Sequence, residues 1–143
     1  MEVLKVSLLS GYTHVDIVAD TYQEISIKSG ERSKTGYSDR IIIHSAQSKI
    51  PQNFSDFLKN GENKQRLIEI MLDTVEKNRL KVLNLLHCTE MYFSIENHCS
   101  KFTLSSSEIE DSLSSNQEEA DTKIALHCKH ALERHPSKQI VVR

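Results

Sequence analysis

Three features of the sequence predict an α/β fold with a mostly parallel central sheet and crossover helices. A short, nearly continuous apolar run at residues 14–20 is typical of a strand buried on both faces of a parallel sheet. Residues 62–78 and 117–134 carry apolar side chains at helical spacing, with charged side chains between them. Residues 138–142, "KQIVV", are suited to a further strand. Strands therefore alternate with helices along the chain, as they do where helices cross over a sheet.

Length and composition indicate one domain, residues 1–143, that can hold a core of its own. A chain of this length can bury roughly two thirds of its unfolded surface, and 27% charged residues is ordinary for a globular protein. The formal net charge of −2 gives no overall attraction to nucleic acid or to an anionic membrane. Such a partner would have to meet a local patch of charge.

The compartment is indicated by the apolar runs and the cysteines. No apolar run approaches the roughly 20 residues of a membrane-spanning helix, and the one near the start is too short for a convincing signal peptide. Three cysteines without a CxxC pair fit reduced thiols better than a disulfide framework. We therefore expect an intracellular protein, nuclear or cytoplasmic, with no membrane partner.

The first predicted strand ends on Asp20. In open α/β sheets the ligand crevice lies at the carboxyl ends of the strands, so this carboxylate is well placed for chemistry. Alternatively, Asp20 caps the segment that follows it. That segment carries Lys28 and Arg32, four residues apart and on one face if it is helical. The pair could meet a phosphate, although most basic runs are solvated surface.

The middle of the chain predicts two helices and several extended segments. Residues 40–44 read as a strand or an extended connection. Asn53 is the expected cap of a short helix that stops at Gly61, and residues 62–78 form a longer helix whose apolar stripe faces the core. Within residues 79–104, "LKVLNLL" fits a strand or a helix, whereas "MYFSIEN" and "KFTL" favour strands.

Residues 105–115 hold six serines and three acids, a composition that predicts a loop. The helix of residues 117–134 then begins with three carboxylates, of which Glu119 suits a capping box with Asn116. Glu118 and Asp121 lie three residues apart on nearly the same face. Two such carboxylates repel unless a positive charge, such as a divalent metal, lies between them or solvent relieves the repulsion. The stripe expected to face inward comprises Ala120, Ile124, Cys128, Ala131 and Leu132.

Three blocks of the sequence, in this order, resemble a PIN-like domain: "DTYQEISIKSGER", "IPQNFSDFLKNGENKQRLIEI" and "SSNQEEADTKIALH". That domain occurs in many uncharacterised, often mobile-element-associated animal proteins and is related to the flap endonuclease and XPG nuclease superfamily. The resemblance runs from about His14 to Arg143. It implies a PIN-like α/β fold, incomplete at both ends, and metal-dependent phosphodiester hydrolysis on DNA or RNA. It also implies two Mg²⁺ or Mn²⁺ ions, which activate water and stabilise the leaving oxygen.

The resemblance implies roles for individual residues. The acids that match its catalytic, metal-binding carboxylates are Asp20, Glu119 and Asp121, with Glu118 as a substitute metal ligand. Lys28 and Arg32 match basic residues that approach the scissile phosphate and would stabilise its developing negative charge. Glu119 and Asp121 lie about 200° apart on a regular helix, so they converge only if Glu119 lies in the capping turn.

The sequence also departs from this family. No aspartate precedes Gly11, and the second acidic pair of the family would begin after Arg143. These departures favour an alternative: a truncated or degenerate PIN-like domain that binds nucleic acid or protein without cutting it. An exposed sheet edge, where the missing strand would pair, could drive homodimerisation.

A zinc-binding module is the other alternative, prompted by the adjacent pairs His87-Cys88, His98-Cys99 and His127-Cys128. Adjacent residues on a strand or helix point apart, and no pair has the two-to-four-residue gap of a zinc knuckle. The sequence therefore favours His127 and His130 as part of a helix face and Cys128 as core.

Overall fold

The computed structural model describes residues 12–19, 40–45, 47–49, 51–116 and 120–142. Within this part of the chain the secondary structure comprises a four-stranded sheet, α-helices and one 3₁₀ helix. In chain order the elements are β1 (His14–Val18), α1 (Phe54–Phe57), α2 (Gly61–Lys77), α3 (Arg79–Leu86), β2 (Glu90–Ile95), β3 (His98–Thr103), β4 (Ser107–Ile109), the 3₁₀ helix (Asp111–Leu113) and α4 (Ala120–Arg134).

The sheet is mixed, with the strand order β1-β2-β3-β4. β1 runs parallel to β2, with His14 opposite Glu90, whereas β2 and β3 and then β3 and β4 pair antiparallel. The α/β class is confirmed, but the prediction of a mostly parallel sheet is wrong for the described strands. Only Glu96 and Asn97 separate β2 from β3, and a two-residue connection joins antiparallel strands. Glu96 has a left-handed φ of 51°, which tight hairpin turns require.

The apolar core lies between one face of the sheet and helices α2 and α3. Alternate residues of β2, Met91 and Phe93, are buried on this face together with Val15 of β1 and Phe102 of β3. Leu83 of α3 packs into the same cluster and is fully buried. Ile17 and Ile95 pack against the same cluster, and the residues that alternate with this apolar row in β1 and β2 point to the opposite face of the sheet. Helix α4 covers that opposite face.

Several sequence predictions are confirmed in the middle of the chain. Strands β2 and β3 overlap the two segments that favour strands, although β3 begins three residues before "KFTL", and "LKVLNLL" lies in helix α3. Asn53 caps α1, because its side chain accepts a hydrogen bond from the backbone N–H of Asp56. Gly61 is not a stop: it is the first residue of α2, whose cap is Asn60. Residues 40–44 form a connection without helix or strand, and Ile41 donates its backbone N–H to Oδ1 of Asn63 at 3.0 Å.

Two predictions of secondary structure are wrong. Residues 105–115 are not simply a loop, since they include β4 and the 3₁₀ helix. Leu113 is 2% exposed and packs against Tyr92 and Cys99, so one apolar residue is enough to anchor this serine-rich segment. Residues 138–142 form no strand, because strand propensity is realised only where a partner strand pairs.

The inward stripe predicted for α4 is confirmed only in part: Ala120, Ile124, Cys128 and Ala131 are half-buried, and none of them is fully buried. The buried residues of α4 are Lys123 and His127, whereas Leu132 is 49% exposed. An apolar stripe is expected where a helix packs on an apolar face, but the sheet presents polar groups to α4. The helix therefore turns its polar row inward. None of the described helices has the length and apolar character that a membrane span requires.

Candidate functional site

Polar side chains gather on the sheet face that α4 covers. Alternate residues of the two parallel strands point to this face, and they are His14, Asp16, Glu90, Tyr92 and Ser94. Helix α4 adds His127, and His135 follows directly after the helix. A strand that reads as a nearly continuous apolar run thus carries its two titratable groups on one face only.

His127 lies at the centre of a buried network and is 2% exposed. Its Nε2 atom is 2.7 Å from Oγ of Ser94, and its Nδ1 atom is 2.7 Å from Oδ1 of Asp16. This connectivity is that of a Ser-His-Asp hydrolase triad. A nucleophile needs access to its substrate, however, and Ser94 is 2% exposed in this structure. The network therefore holds α4 to the sheet by satisfying buried polar groups.

Asp16 joins this network to a second one. Its other oxygen, Oδ2, lies 2.6 Å from Nε2 of His14. Burial raises the pKa of Asp16, but the hydrogen bonds from His127 and His14 outweigh it, so the pKa lies below its ordinary value. Burial lowers the pKa of His14, yet its bonds to Asp16 and Glu90 leave that pKa raised. Asp16 is thus a carboxylate between two imidazoles.

Glu90 lies at the centre of the second network and contacts His14, His135, Tyr92 and Arg134. Its Oε1 atom lies 3.0 Å from Nδ1 of His14 and 2.9 Å from Nε2 of His135. Its Oε2 atom accepts from the Tyr92 hydroxyl at 3.3 Å and lies 3.5 Å from Nη2 of Arg134. Burial raises the pKa of Glu90, but these hydrogen bonds, that of His135 foremost, hold it below its ordinary value.

His14, Glu90 and His135 together could hold a metal ion. One ligand atom from each lies within 4.8 Å of the others. Two imidazole nitrogens and a carboxylate oxygen form a ligand set found in metal sites that keep an open coordination position. This group was not predicted from the sequence. The available signal was the alternation of polar-tipped and apolar residues: His14 and Asp16 alternate with apolar residues in β1, and Glu90, Tyr92 and Ser94 do so in β2.

The cysteines take no part in this group. Cys88 and Cys99 are buried, Cys128 is half-buried, and all three thiols are free. Burial raises the pKa of the Cys99 thiol to about 11 and also raises that of Cys88. Cys128 lies on α4 but is less buried than its neighbour His127. The prediction that Cys128 is a core residue and His127 part of a helix face is therefore reversed.

Most of the sequence-predicted site residues lie outside the described residues, namely Asp20, Lys28, Arg32, Glu118 and Glu119. Asp121 is described: it is exposed in the first turn of α4. It is not part of the histidine group, because His135 lies beyond the other end of that helix.

The direction of α4 is fixed by a contact at each end. Near its start, Nζ of Lys123 donates to the backbone oxygen of Glu96 at 2.6 Å, just past the carboxyl end of β2. After its end, His135 meets Glu90 at the beginning of β2. Helix α4 therefore runs antiparallel to β1 and β2, with Asp121 towards the carboxyl ends of those strands.

No family model, no curated protein and no solved structure matches this chain. The resemblance to a PIN-like domain stays a prediction from the sequence.

Proposed function

We propose that this chain is a nuclease that hydrolyses phosphodiester bonds of DNA or RNA with Mg²⁺ or Mn²⁺. Asp20, Glu119 and Asp121 would hold the ion, with Glu118 as a substitute ligand. The observation that supports this proposal is the direction of α4. The helix begins on the side of the sheet where the parallel strands have their carboxyl ends.

The parallel pair supports a site at that edge. Ligands of open α/β sheets bind outside the carboxyl ends of parallel strands. Ala19 donates its N–H to the Ser94 oxygen at 3.0 Å, so pairing of the first two strands reaches the residue that precedes Asp20 in the sequence. Glu119 in turn precedes Ala120, the first described residue of α4. The described neighbours of Asp20 and Glu119, namely Ala19 and Ala120, thus lie towards the carboxyl ends of the parallel strands.

The ligand chemistry fits a hard divalent ion. Carboxylate oxygens are the ligands that Mg²⁺ and Mn²⁺ prefer, and the exposed position of Asp121 leaves room for the waters that Mg²⁺ keeps. A bound ion of this kind supplies Lewis acidity and an activated water. Lys28 and Arg32 would contact the phosphate oxygens and stabilise the negative charge that grows on them during hydrolysis.

Cleavage of end-labelled single-stranded DNA, flap DNA and single-stranded RNA in Mn²⁺ tests this proposal. The wild-type chain is compared with the double variant Glu119→Gln, Asp121→Asn. Glu133→Gln is the matched control, because Glu133 is an exposed acid near the other end of α4. We expect cleavage by wild type and control and none by the double variant. Equal cleavage by wild type and double variant would refute the assigned site.

A second candidate function is binding of nucleic acid or protein without cleavage. The observation that favours it is the sheet edge: among the described strands, β1 pairs with β2 alone, so its other edge has no described partner. Such an edge can pair with a second copy of the chain. Binding of the same labelled nucleic acids without any cleavage would favour this function, and light scattering that shows only monomer would remove the homodimer.

A further inference from the structure

We propose that His14, Glu90 and His135 form a second metal site, selective for Zn²⁺ over Mg²⁺, at the end of α4 opposite to the proposed nuclease site. Helix α4 has 15 residues and therefore spans about 22 Å. Asp121 lies in its first turn and His135 follows its last. The two sites are thus separate, and the zinc site does not rest on the proposed nuclease function.

Two of the three pairs of ligand atoms already lie close to the spacing that zinc needs. In a tetrahedral site with bonds of about 2.0–2.1 Å, neighbouring ligand atoms lie about 3.3 Å apart. Oε1 of Glu90 is 3.0 Å from Nδ1 of His14 and 2.9 Å from Nε2 of His135. The two rings meet edge to face, with an interplanar angle of 85° and centroids 5.6 Å apart. The two histidine nitrogens lie within 4.8 Å of each other, so closing that pair to tetrahedral spacing requires a side-chain shift of up to about 1.5 Å, which the more exposed His135 can make.

The groups around the ligands hold them in place. Asp16 bonds the other ring nitrogen of His14, which is how carboxylates orient metal-bound histidines. The Tyr92 ring stacks on His14 with centroids 4.8 Å apart, so the imidazole cannot rotate freely. The Tyr92 hydroxyl and Arg134 both approach Oε2 of Glu90, which leaves Oε1 to face the two histidines. These contacts fix the positions of His14 and Glu90 before an ion binds.

The ligand types select the ion. Imidazole nitrogen suits Zn²⁺ and similar first-row ions, whereas Mg²⁺ requires oxygen ligands and holds its waters tightly. His14 and Glu90 are almost enclosed, at 13% and 14% side-chain exposure, while His135 is 36% exposed. An ion can therefore enter on the His135 side and keep a water in the fourth position. A bound ion would join the end of α4 to the first residues of both parallel strands.

Calorimetric titration of the EDTA-treated chain with ZnCl₂ and with MgCl₂ tests this site. We expect one Zn²⁺ per chain, bound in the presence of millimolar Mg²⁺, and a visible Co²⁺ spectrum of low-symmetry coordination. His135→Ala should weaken Zn²⁺ binding by more than about a hundredfold, since it removes a ligand, and Asp16→Asn by about tenfold, since it removes the carboxylate that His14 and His127 share but leaves all three ligands in place. His135 is the most exposed ligand, so its variant should retain the fold.

His98→Ala is the matched control. His98 is exposed at the start of β3 and belongs to one of the His-Cys pairs, so its loss also tests the other zinc hypothesis. The control and the double variant Glu119→Gln, Asp121→Asn should both bind Zn²⁺ as the wild type does. No Zn²⁺ binding by the wild type would overturn the proposal, as would equal losses in His135→Ala and His98→Ala. In either case the three side chains form only a hydrogen-bonded cluster.

Discussion

Replacing His127 with alanine should destabilise the fold far more than removing any exposed histidine. His127 is 2% exposed, and its ring is the hydrogen-bond partner of both Ser94 and Asp16. His127→Ala leaves the buried Ser94 hydroxyl and one Asp16 oxygen without that partner, at about 1–3 kcal/mol each. The space left by the ring adds roughly 1 kcal/mol. We expect a total loss of about 4 kcal/mol, a large part of the 5–15 kcal/mol typical of domains.

Urea unfolding in EDTA, followed by far-UV circular dichroism, measures this loss. The midpoint temperature in a parallel thermal scan should fall by about 12 °C. His98→Ala, at an exposed position, should change the free energy of unfolding by less than about 0.5 kcal/mol. Combining His127→Ala with Ser94→Ala should cost less than the sum of the single losses, because the second change removes an orphaned hydroxyl.

A loss of less than about 1 kcal/mol in His127→Ala would show that the His127 hydrogen bonds do not stabilise the fold. Losses that add in full would show that Ser94 and His127 do not interact, since contacting groups that share a hydrogen bond must couple.

Three further predictions follow from the same face of the fold. Iodoacetamide at pH 8 should alkylate the half-buried Cys128 before Cys99, because burial and a pKa raised to about 11 suppress the thiolate of Cys99. Peptide mass spectrometry measures the alkylation rate of each cysteine, and equal rates would contradict this prediction. Lys123→Met should cost about 1–3 kcal/mol in urea unfolding, because the Glu96 oxygen loses the Nζ donor; an unchanged midpoint would count against that contact. Asp121→Asn should weaken Mn²⁺ binding in an electron paramagnetic resonance titration while the circular dichroism spectrum stays the same, and unchanged Mn²⁺ affinity would show that Asp121 is no ligand.

Local sequence patterns predicted those elements whose partners are close in the chain. Helix α2 follows from its apolar spacing and from the cap at its start. Strands β2 and β3 follow from aromatic and β-branched side chains. The antiparallel pairing of β2 and β3 was not predictable in the same way, since it depends on the two-residue connection Glu96-Asn97. That connection lies inside "MYFSIEN" and lacks the glycine that is typical of a hairpin turn.

The histidine group could not be predicted from spacing, because its ligands are far apart in the sequence. His14 and Glu90 meet only because β1 pairs in parallel with β2, across helices α1, α2 and α3. His135 joins them only because α4 runs antiparallel to those strands. The inward row of α4 was misjudged for a related reason, since apolar periodicity assumes an apolar partner and the sheet offered Asp16 and Ser94 instead.

The most direct test of the proposed nuclease site compares four proteins in one Mn²⁺ cleavage assay on end-labelled single-stranded DNA. They are the wild type, the double variant Glu119→Gln, Asp121→Asn, the histidine-site variant His135→Ala, and the control Glu133→Gln. The proposed site predicts cleavage by the wild type, His135→Ala and Glu133→Gln, and none by the double variant. Cleavage that survives in the double variant but is lost in His135→Ala would contradict it, because catalysis would then belong to the histidine group at the other end of α4.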